Sequence, residues 1–347
     1  MALSRILKED FSHIAAEYDF SALRNSSVFV TGGTGLLGSQ LVRFFLHLNR
    51  ECGWRIEPVA LIRSEEKAAH VFGDDVADIT LVQGDVLCLP KIDGVIDYII
   101  HGASVTSSRE FISRAVETVN IAVNGTMNML NLAREKSVRS FLYLSSMEAF
   151  GVTDGKGEVR EADLGYIDIL SPRSSYMESK RMCECLCACY AAEYGVPARI
   201  VRLAQTLGAG IAYDDTRVAA QFARAAIEGR NIVLRTEGRT RRPVLYTGDA
   251  VSAMLMVLLH GRNGEAYTAA NPATFRTIRE TADMLALDIC GGRIGVRYDI
   301  QGVSAEYAPN LNLNLNVDKL RSLGWEPRVG LREAYERMIT AMRDSYA

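Results

Sequence analysis

From Ser27 onward, short apolar runs alternate with longer segments whose apolar positions recur every three or four residues. The runs are SVFVTGG, PVALIRS, ITLVQGD, DYIIHGAS, SFLYLSS and ARIVRLA. Runs of this length, five of the six ending in Gly, Ser or Asp, read as buried strands. Helix-length spacers between them predict a parallel sheet with crossover helices on both faces, an α/β class. Ligands on such sheets bind at the carboxyl ends of the strands. After about residue 205 the rhythm changes. Polar loops (GAGIAYDDTR, RTEGRTRRP) are followed by an apolar helix DAVSAMLMVLLHG and a last helix after LGWEPRVG. That change predicts a second, smaller lobe. NLNLNLNV alternates strictly and reads as a short strand or extended loop. Residues 1–24 precede the first strand and carry no readable chemistry.

With 347 residues, 48% of them hydrophobic and 23% charged, the chain is large enough for one main core with a lobe attached. A net charge of −3 offers no global field to attract nucleic acid or an anionic membrane, so any anion must be met locally. Lys8, Glu9 and Asp10 interrupt the N-terminal apolar run, and no stretch approaches the ~20 apolar residues of a membrane span. A cytoplasmic enzyme is the expectation.

Seven cysteines, an odd number without an export signal, point to reduced thiols. Four of them, Cys183, Cys185, Cys187 and Cys189, fall at every second position of a segment that reads as helix and stops at Gly195. Neighbours two apart on a helix face opposite sides, so the thiols split into Cys183/Cys187 and Cys185/Cys189 and do not converge on a metal. Packing is the expected role, with no metal.

VFVTGGTGLLGSQLVRFFL reads as strand, glycine turn and helix. Gly33, Gly35 and Gly38 satisfy G-x-G-x-x-G, while Gly32, Gly35 and Gly38 satisfy G-x-x-G-x-x-G. Glycine lets the turn bend tightly, lets backbone N–H groups approach a pyrophosphate, and brings the helix onto the sheet. Dinucleotide binding is expected here, with Leu36 and Leu37 at the helix start. The second strand ends in Arg63 rather than an acid, which favours a 2′-phosphate and hence NADP, with NAD the alternative. Asp85, with Val86 beside it, ends the third strand where a carboxylate could accept from the adenine amino group.

Tyr176 and Lys180 stand four apart on the helical segment and so share a face. The Lys180 ammonium, with a positive nicotinamide nearby, is expected to favour phenolate and make Tyr176 an acid/base near neutral pH. The strand end at Ser145 and Ser146 adds a hydroxyl for the same substrate oxygen.

Taken together, TGGTGLLGS, GD at 84, HGAS at 101, GTMNML at 125, SSMEAFG at 145, PRSSYMESKR at 172, RLAQTLG at 202, YTGDAV at 246 and LGWEP at 323 make the sequence resemble the extended short-chain dehydrogenase/reductases. Within these it resembles the NAD-dependent epimerase/dehydratase group that acts on nucleotide sugars. The resemblance runs from about Val28 to the last helix and is closest in look to UDP-glucuronate decarboxylases and UDP-hexose 4-epimerases. It implies a Rossmann-type doubly wound sheet with a smaller C-terminal substrate-binding lobe. Residues 25–205 would form the dinucleotide domain, with 244–262 returning to it, and 206–243 with 263–347 would form the lobe. It implies Ser146, Tyr176 and Lys180 as catalytic trio with Glu148 as auxiliary acid/base. Ala103 would lie at the cofactor, and Ser104, Gln205, Arg217 and Arg242 at the substrate. A homodimer formed through the Tyr/Lys helix and its neighbour is implied as well. Phe150 replaces the usual Tyr, Gln205 the usual Asn, and Ala122 a frequent Asn.

Met147 bears on the reaction. The resemblance places an Asp there in 4,6-dehydratases and a Ser in the decarboxylases, and a thioether can neither donate a proton nor meet a carboxylate. The expected activity is therefore C4 epimerisation of a nucleotide sugar, which the same resemblance implies is UDP-linked, with UDP-glucuronate decarboxylation or 4,6-dehydration as alternatives. A catalytically silent dinucleotide-binding regulator is the rival from another class, against which the intact trio argues.

Overall fold

The computed structural model describes residues 4–153, 157–300 and 311–346. The chain begins with helix α1 (Arg5–Glu17), then β1 (Ser27–Thr31), α2 (Leu36–Cys52), β2 (Glu57–Ile62), α3 (Glu65–Phe72), β3 (Thr80–Gln83) and β4 (Tyr98–His101). Next come α4 (Glu110–Ser113), α5 (Ala115–Lys136), β5 (Ser140–Ser146), α6 (Ser174–Tyr194) and β6 (Ala198–Leu203). The remainder is β7 (Gln205–Leu207), α7 (Val218–Glu228), β8 (Ile232–Leu234), β9 (Arg241–Tyr246), α8 (Thr247–His260), β10 (Ala266–Ala269), β11 (Asn271–Thr277), α9 (Ile278–Met284), β12 (Val296–Tyr298), α10 (Asp318–Arg321) and α11 (Leu331–Tyr346).

The main sheet has seven strands in the order β10-β6-β5-β4-β1-β2-β3, all parallel. All five β1 residues are buried, as expected of a strand covered on both faces. The order reverses at β1, so the crevice at its carboxyl end lies between the first and second halves of the sheet. Helix α8 is buried from Thr247 to Leu258, all round, which is what an apolar helix without a polar face requires. In α2, Leu41, Phe44, Phe45 and Leu48 are buried together, each contributing about 1.5–3 kcal/mol of transfer free energy.

Two expectations change. The reading of six strands becomes seven, because Ala266–Ala269 pairs in parallel with β6, so the segment beginning at 263 returns to the main sheet before it enters the lobe. The N-terminal extension is also part of the core. In α1, Ile6, Leu7, Phe11 and Ile14 are buried, and Asp10 lies inside with its carboxylate on Tyr246 Oη at 2.6 Å and Arg337 Nη2 at 2.6 Å.

The smaller part holds a three-stranded sheet, β11-β9-β7, and a two-stranded pair, β12-β8. Its own core gathers Phe222 of α7, Leu285, and Tyr335 and Met338 of α11. The described part of the alternating Asn/Leu stretch is an extended loop that bridges Val159 through Leu315 and Arg241 through Asn312. Among the described residues no helix is long and apolar enough to cross a membrane.

Candidate active site

The glycine turn closes directly behind β1. Gly35 N–H donates to Gly32 O at 2.9 Å, and α2 follows with Gly35 as an N-cap that has no side chain to bond. The first N–H groups of α2, from Leu36 and Leu37, are therefore left for a ligand. Side chains could not be added here. Gly32 has φ +70°, and a Cβ on Gly38 would come within 2.2 Å of Gly32 O. A cradle with free N–H groups and no room for Cβ fits a pyrophosphate, so these residues suit a dinucleotide.

Around the cradle, Arg63 is exposed just past β2, the neighbour of β1. Asp85 follows β3 and accepts from Leu87 N at 2.9 Å. The Val86 side chain is buried in the core, next to Gly125 of α5, and its carbonyl accepts from Asn128 Nδ2 at 2.9 Å. At the end of β4, the Thr31 hydroxyl accepts from the N–H groups of Gly102 and Ala103 and contacts His101 Nδ1 at 2.7 Å. Burial holds His101 neutral, pushing it down to about 3, and Lys180 adds to the effect. Ser104 turns its hydroxyl to the Val105 carbonyl.

Strand β5 ends in Ser145 and Ser146, and the chain turns at once into a 3₁₀ segment carrying Glu148, whose N–H donates to Ser146 Oγ at 3.2 Å. Tyr176 lies in the first turn of α6, stacked on Phe111 with ring centroids 4.2 Å apart. The structure brings Ser146, Glu148 and Tyr176 together. The Ser146 hydroxyl hydrogen-bonds the phenol, and the Glu148 charge acts on it. One turn on, Lys180 is buried, with Nζ donating to Leu144 O at 2.8 Å and standing 5.5 Å from the Tyr176 ring centroid. Burial pulls Lys180 down to about 8.

The expected lowering of Tyr176 is not found. Burial pushes its phenol well up, Glu148 adds to that, and only the Ser146 hydrogen bond opposes it. Desolvation of the buried phenol is the larger effect, which explains the difference.

Helix α6 is held in place by a buried ion pair. Arg202 of β6 meets Glu184 at 2.7 Å, and Glu184 also accepts from Ser145 Oγ at 2.5 Å. Arg181 donates to Ala149 O at 2.8 Å and Gly165 O at 2.7 Å, tying the helix to the segment that bears Glu148. Cys183 and Cys187 are buried, while Cys185 and Cys189 lie exposed with sulfurs 4.0 Å apart.

A shallow, solvent-open cleft lies over the small sheet, with Gln205, Arg242, Val244 and Arg276 among its lining. Arg242 hydrogen-bonds Gln205 Oε1, and burial lowers it while Glu148 raises it. Arg217 is not brought into this lining. It precedes α7 and is engaged by Asp215 at 2.6 Å. Two arginines escaped the sequence reading. Arg173, three residues before Tyr176, acts on Arg242 and has a buried Nη1 without a partner among the described residues. Arg276 lines the cleft, and its signal was an arginine in a short alternating run next to β9.

The chain matches the NAD dependent epimerase/dehydratase family over residues 28–271. UDP-glucuronic acid decarboxylase 1 of Xenopus tropicalis is 26% identical over 316 residues, 91% of this chain and 72% of that protein. Among solved structures, the epimerase Mth375 of Methanothermobacter thermautotrophicus superposes with a TM-score of 0.78 at 20% identity, covering 99% of this chain and 96% of that one. The UDP-glucose 4-epimerase of Thermotoga maritima, solved with UDP-glucose, gives 0.77 at 19% identity, covering 92% of this chain and all of that one, 100%. At such identities the structural likeness is one of fold.

Proposed function

The chain belongs to the NAD dependent epimerase/dehydratase family, and within it we propose that it is a nucleotide-sugar 4-epimerase. The sugar is oxidised at C4, turns over as the keto form, and takes the hydride back on its other face. When bound, the nicotinamide dinucleotide supplies the hydride acceptor and donor. The rest falls to side chains. Tyr176 takes the C4 hydroxyl proton and returns it, and Ser146 holds the same oxygen. Lys180 anchors the helix turn beneath the phenol through its bond to Leu144 O. In the reducing half of the cycle the phenol returns its proton to the C4 oxygen, and its raised affinity for that proton holds it ready as the neutral phenol between turnovers. Arg242, with Arg173 near it, receives the anionic part of the substrate.

The observation that carries this reading is Met147, which is 3% exposed and packed in the main core. It offers neither a proton for dehydration nor a hydrogen bond for a sugar carboxylate, and epimerisation needs neither from it. UDP-glucuronate decarboxylation is the second reading, supported by the Xenopus tropicalis relative and by the two arginines on the Glu148 side. The homodimer remains part of the proposal, supported by the exposed Met127 on α5 and Met182 on α6.

Proton NMR of the protein with UDP-glucose, UDP-N-acetylglucosamine, UDP-glucuronate and dTDP-glucose in turn tests the reading. A C4 epimer is expected. UDP-xylose or a 4-keto-pentose would make it a decarboxylase, and a 4-keto-6-deoxy sugar a dehydratase. No product and no reduced-nicotinamide absorbance with any of them would favour the silent regulator.

A further inference from the structure

Helix α6 begins against the short helix α4, and two contacts join them at Tyr176. The Phe111 ring lies flat on the Tyr176 ring, with centroids 4.2 Å apart and planes 9° from parallel. The hydroxyl of Ser175, the residue before Tyr176, donates to Phe111 O at 2.8 Å. Side chain and carbonyl of Phe111 are therefore both engaged by the first turn of α6. Core packing does not account for this. Phe111 is 3% exposed, yet it lies outside each of the hydrophobic clusters that make up the core among the described residues. What it covers instead is the phenol. At its oxygen that phenol meets the Ser146 hydroxyl and the charge of Glu148. Lys180 Nζ stands 5.5 Å from the ring centroid, and Tyr143 of β5 is close enough to interact with it. On the α4 side Arg109 is exposed, and Glu110 pairs with Arg114 at 3.4 Å. The contribution of Phe111 is thus a ring without a charge.

We propose that Phe111 is a positioning residue for the reaction: it fixes the plane of the Tyr176 ring, and with it the direction of the phenol O–H, and it closes one face of that ring to water. This rests on the nucleotide-sugar reading, in which Tyr176 is the acid/base. The last torsion of a tyrosine side chain has a broad preference, so the backbone of α6 alone does not set the ring plane. A parallel ring at 4.2 Å does set it, because turning the phenol would drive one ring edge into Phe111. Orientation of a proton-transfer group governs rate more than binding, and small misplacements of it are costly. The second effect is one of solvation. An apolar ring stands where water would otherwise stabilise a phenolate, and so keeps the phenol neutral. Phe111 has no polar side-chain atom of its own, so it acts on the chemistry wholly through Tyr176.

Phe111→Ala and Phe111→Leu separate the two effects, since alanine removes both and leucine returns an apolar cover without a flat ring. One readout needs no substrate. Tetranitromethane nitrates tyrosine through the phenolate, and peptide mass spectrometry follows Tyr176 against the exposed Tyr166 in the same protein. Nitration of Tyr176 should be about tenfold faster in Phe111→Ala and close to wild type in Phe111→Leu. The other readout uses whichever nucleotide sugar the protein turns over. Phe111→Ala should lose about tenfold or more in kcat with KM within a few-fold, and the acidic limb of its pH profile should move to lower pH. Phe111→Leu should show the kcat loss with the limb unmoved, and both variants should keep wild-type dinucleotide content. Wild-type kcat in either variant overturns the proposal. So does a kcat loss in Phe111→Ala that comes with a lower unfolding temperature while nitration and the pH limb stay at wild type, because Phe111 would then serve packing alone. Faster nitration in Phe111→Ala, in a protein that turns over no nucleotide sugar, overturns the nucleotide-sugar reading and supports the hold of Phe111 on the phenol.

Discussion

Replacing Lys180 by methionine should separate the cost of burying this group from its use. Its proton affinity falls from 10.5 to about 8 because burial strips water from the ammonium. That is a shift of about 2.5 units, or ~3 kcal/mol at ~1.36 kcal/mol per unit. The group is 4% exposed, so solvent does not screen the effect away. Below pH 8 both folded and unfolded chains hold the proton, and the folded state bears the full cost. Between about pH 8 and 10.5 the unfolded chain keeps a proton that the folded chain has released, so wild-type stability rises with pH through this window. Lys180→Met has no such group. The unfolding free energy of wild type should therefore gain ~3 kcal/mol on the variant between pH 7 and 10.5. The lost Nζ bond to Leu144 O costs the variant ~1 kcal/mol at every pH, which leaves it ahead by about 2 kcal/mol at pH 7. Urea unfolding of dinucleotide-free protein at a series of pH values, followed by fluorescence of the buried Trp325, measures the difference. Parallel profiles for the two proteins would refute the reasoning.

Tyr176→Phe removes one oxygen and leaves the ring stacked on Phe111, so fold and dinucleotide content should match wild type while turnover drops ~10²-fold or more; turnover within a few-fold of wild type would remove Tyr176 from the chemistry. Arg63→Ala should weaken NADP more than NAD, because only the 2′-phosphate needs the guanidinium. Mass analysis of the dinucleotide released on denaturing wild type checks the same point, and NAD alone would give Arg63 another role.

The inner strands of the main sheet were legible because a strand buried on both faces must be apolar throughout, and β3, the half-exposed edge strand, was legible from its short run before Gly84 and Asp85. β10 was not, since AYTA is four residues long and lacks a run. Helix α1 was passed over because Lys8, Glu9 and Asp10 looked like a solvated break, yet Asp10 is buried by partners 236 and 327 residues away, which no local pattern announces. The catalytic candidates were readable for a simpler reason. Strand ends and one helix face fix where Ser146, Tyr176 and Lys180 stand before any packing is known. Arg217 failed on local competition, because Asp215, two residues before it, takes its guanidinium. Arg276 failed because its meaning lies in the strand opposite it.

The direction of the Tyr176 shift was beyond the sequence for a related reason, and it changes how the site works. Burial drives both members of the pair toward their neutral forms, Lys180 downward and Tyr176 upward. A phenol in that condition responds strongly to any charge brought near it. One positive charge ~5 Å away, at an effective dielectric of ~20, contributes ~3 kcal/mol, or ~2 pK units of acidity. Within a buried pocket whose own ammonium is engaged by a backbone carbonyl, a shift of that size must arrive with a bound group. On the proposed reading, the acidity of Tyr176 would thereby be coupled to occupancy of the cradle at Gly32, Gly35 and Gly38. On that reading, proton abstraction would be confined to the state in which a hydride acceptor is already in place, and a sugar entering an empty site would meet a phenol that keeps its proton.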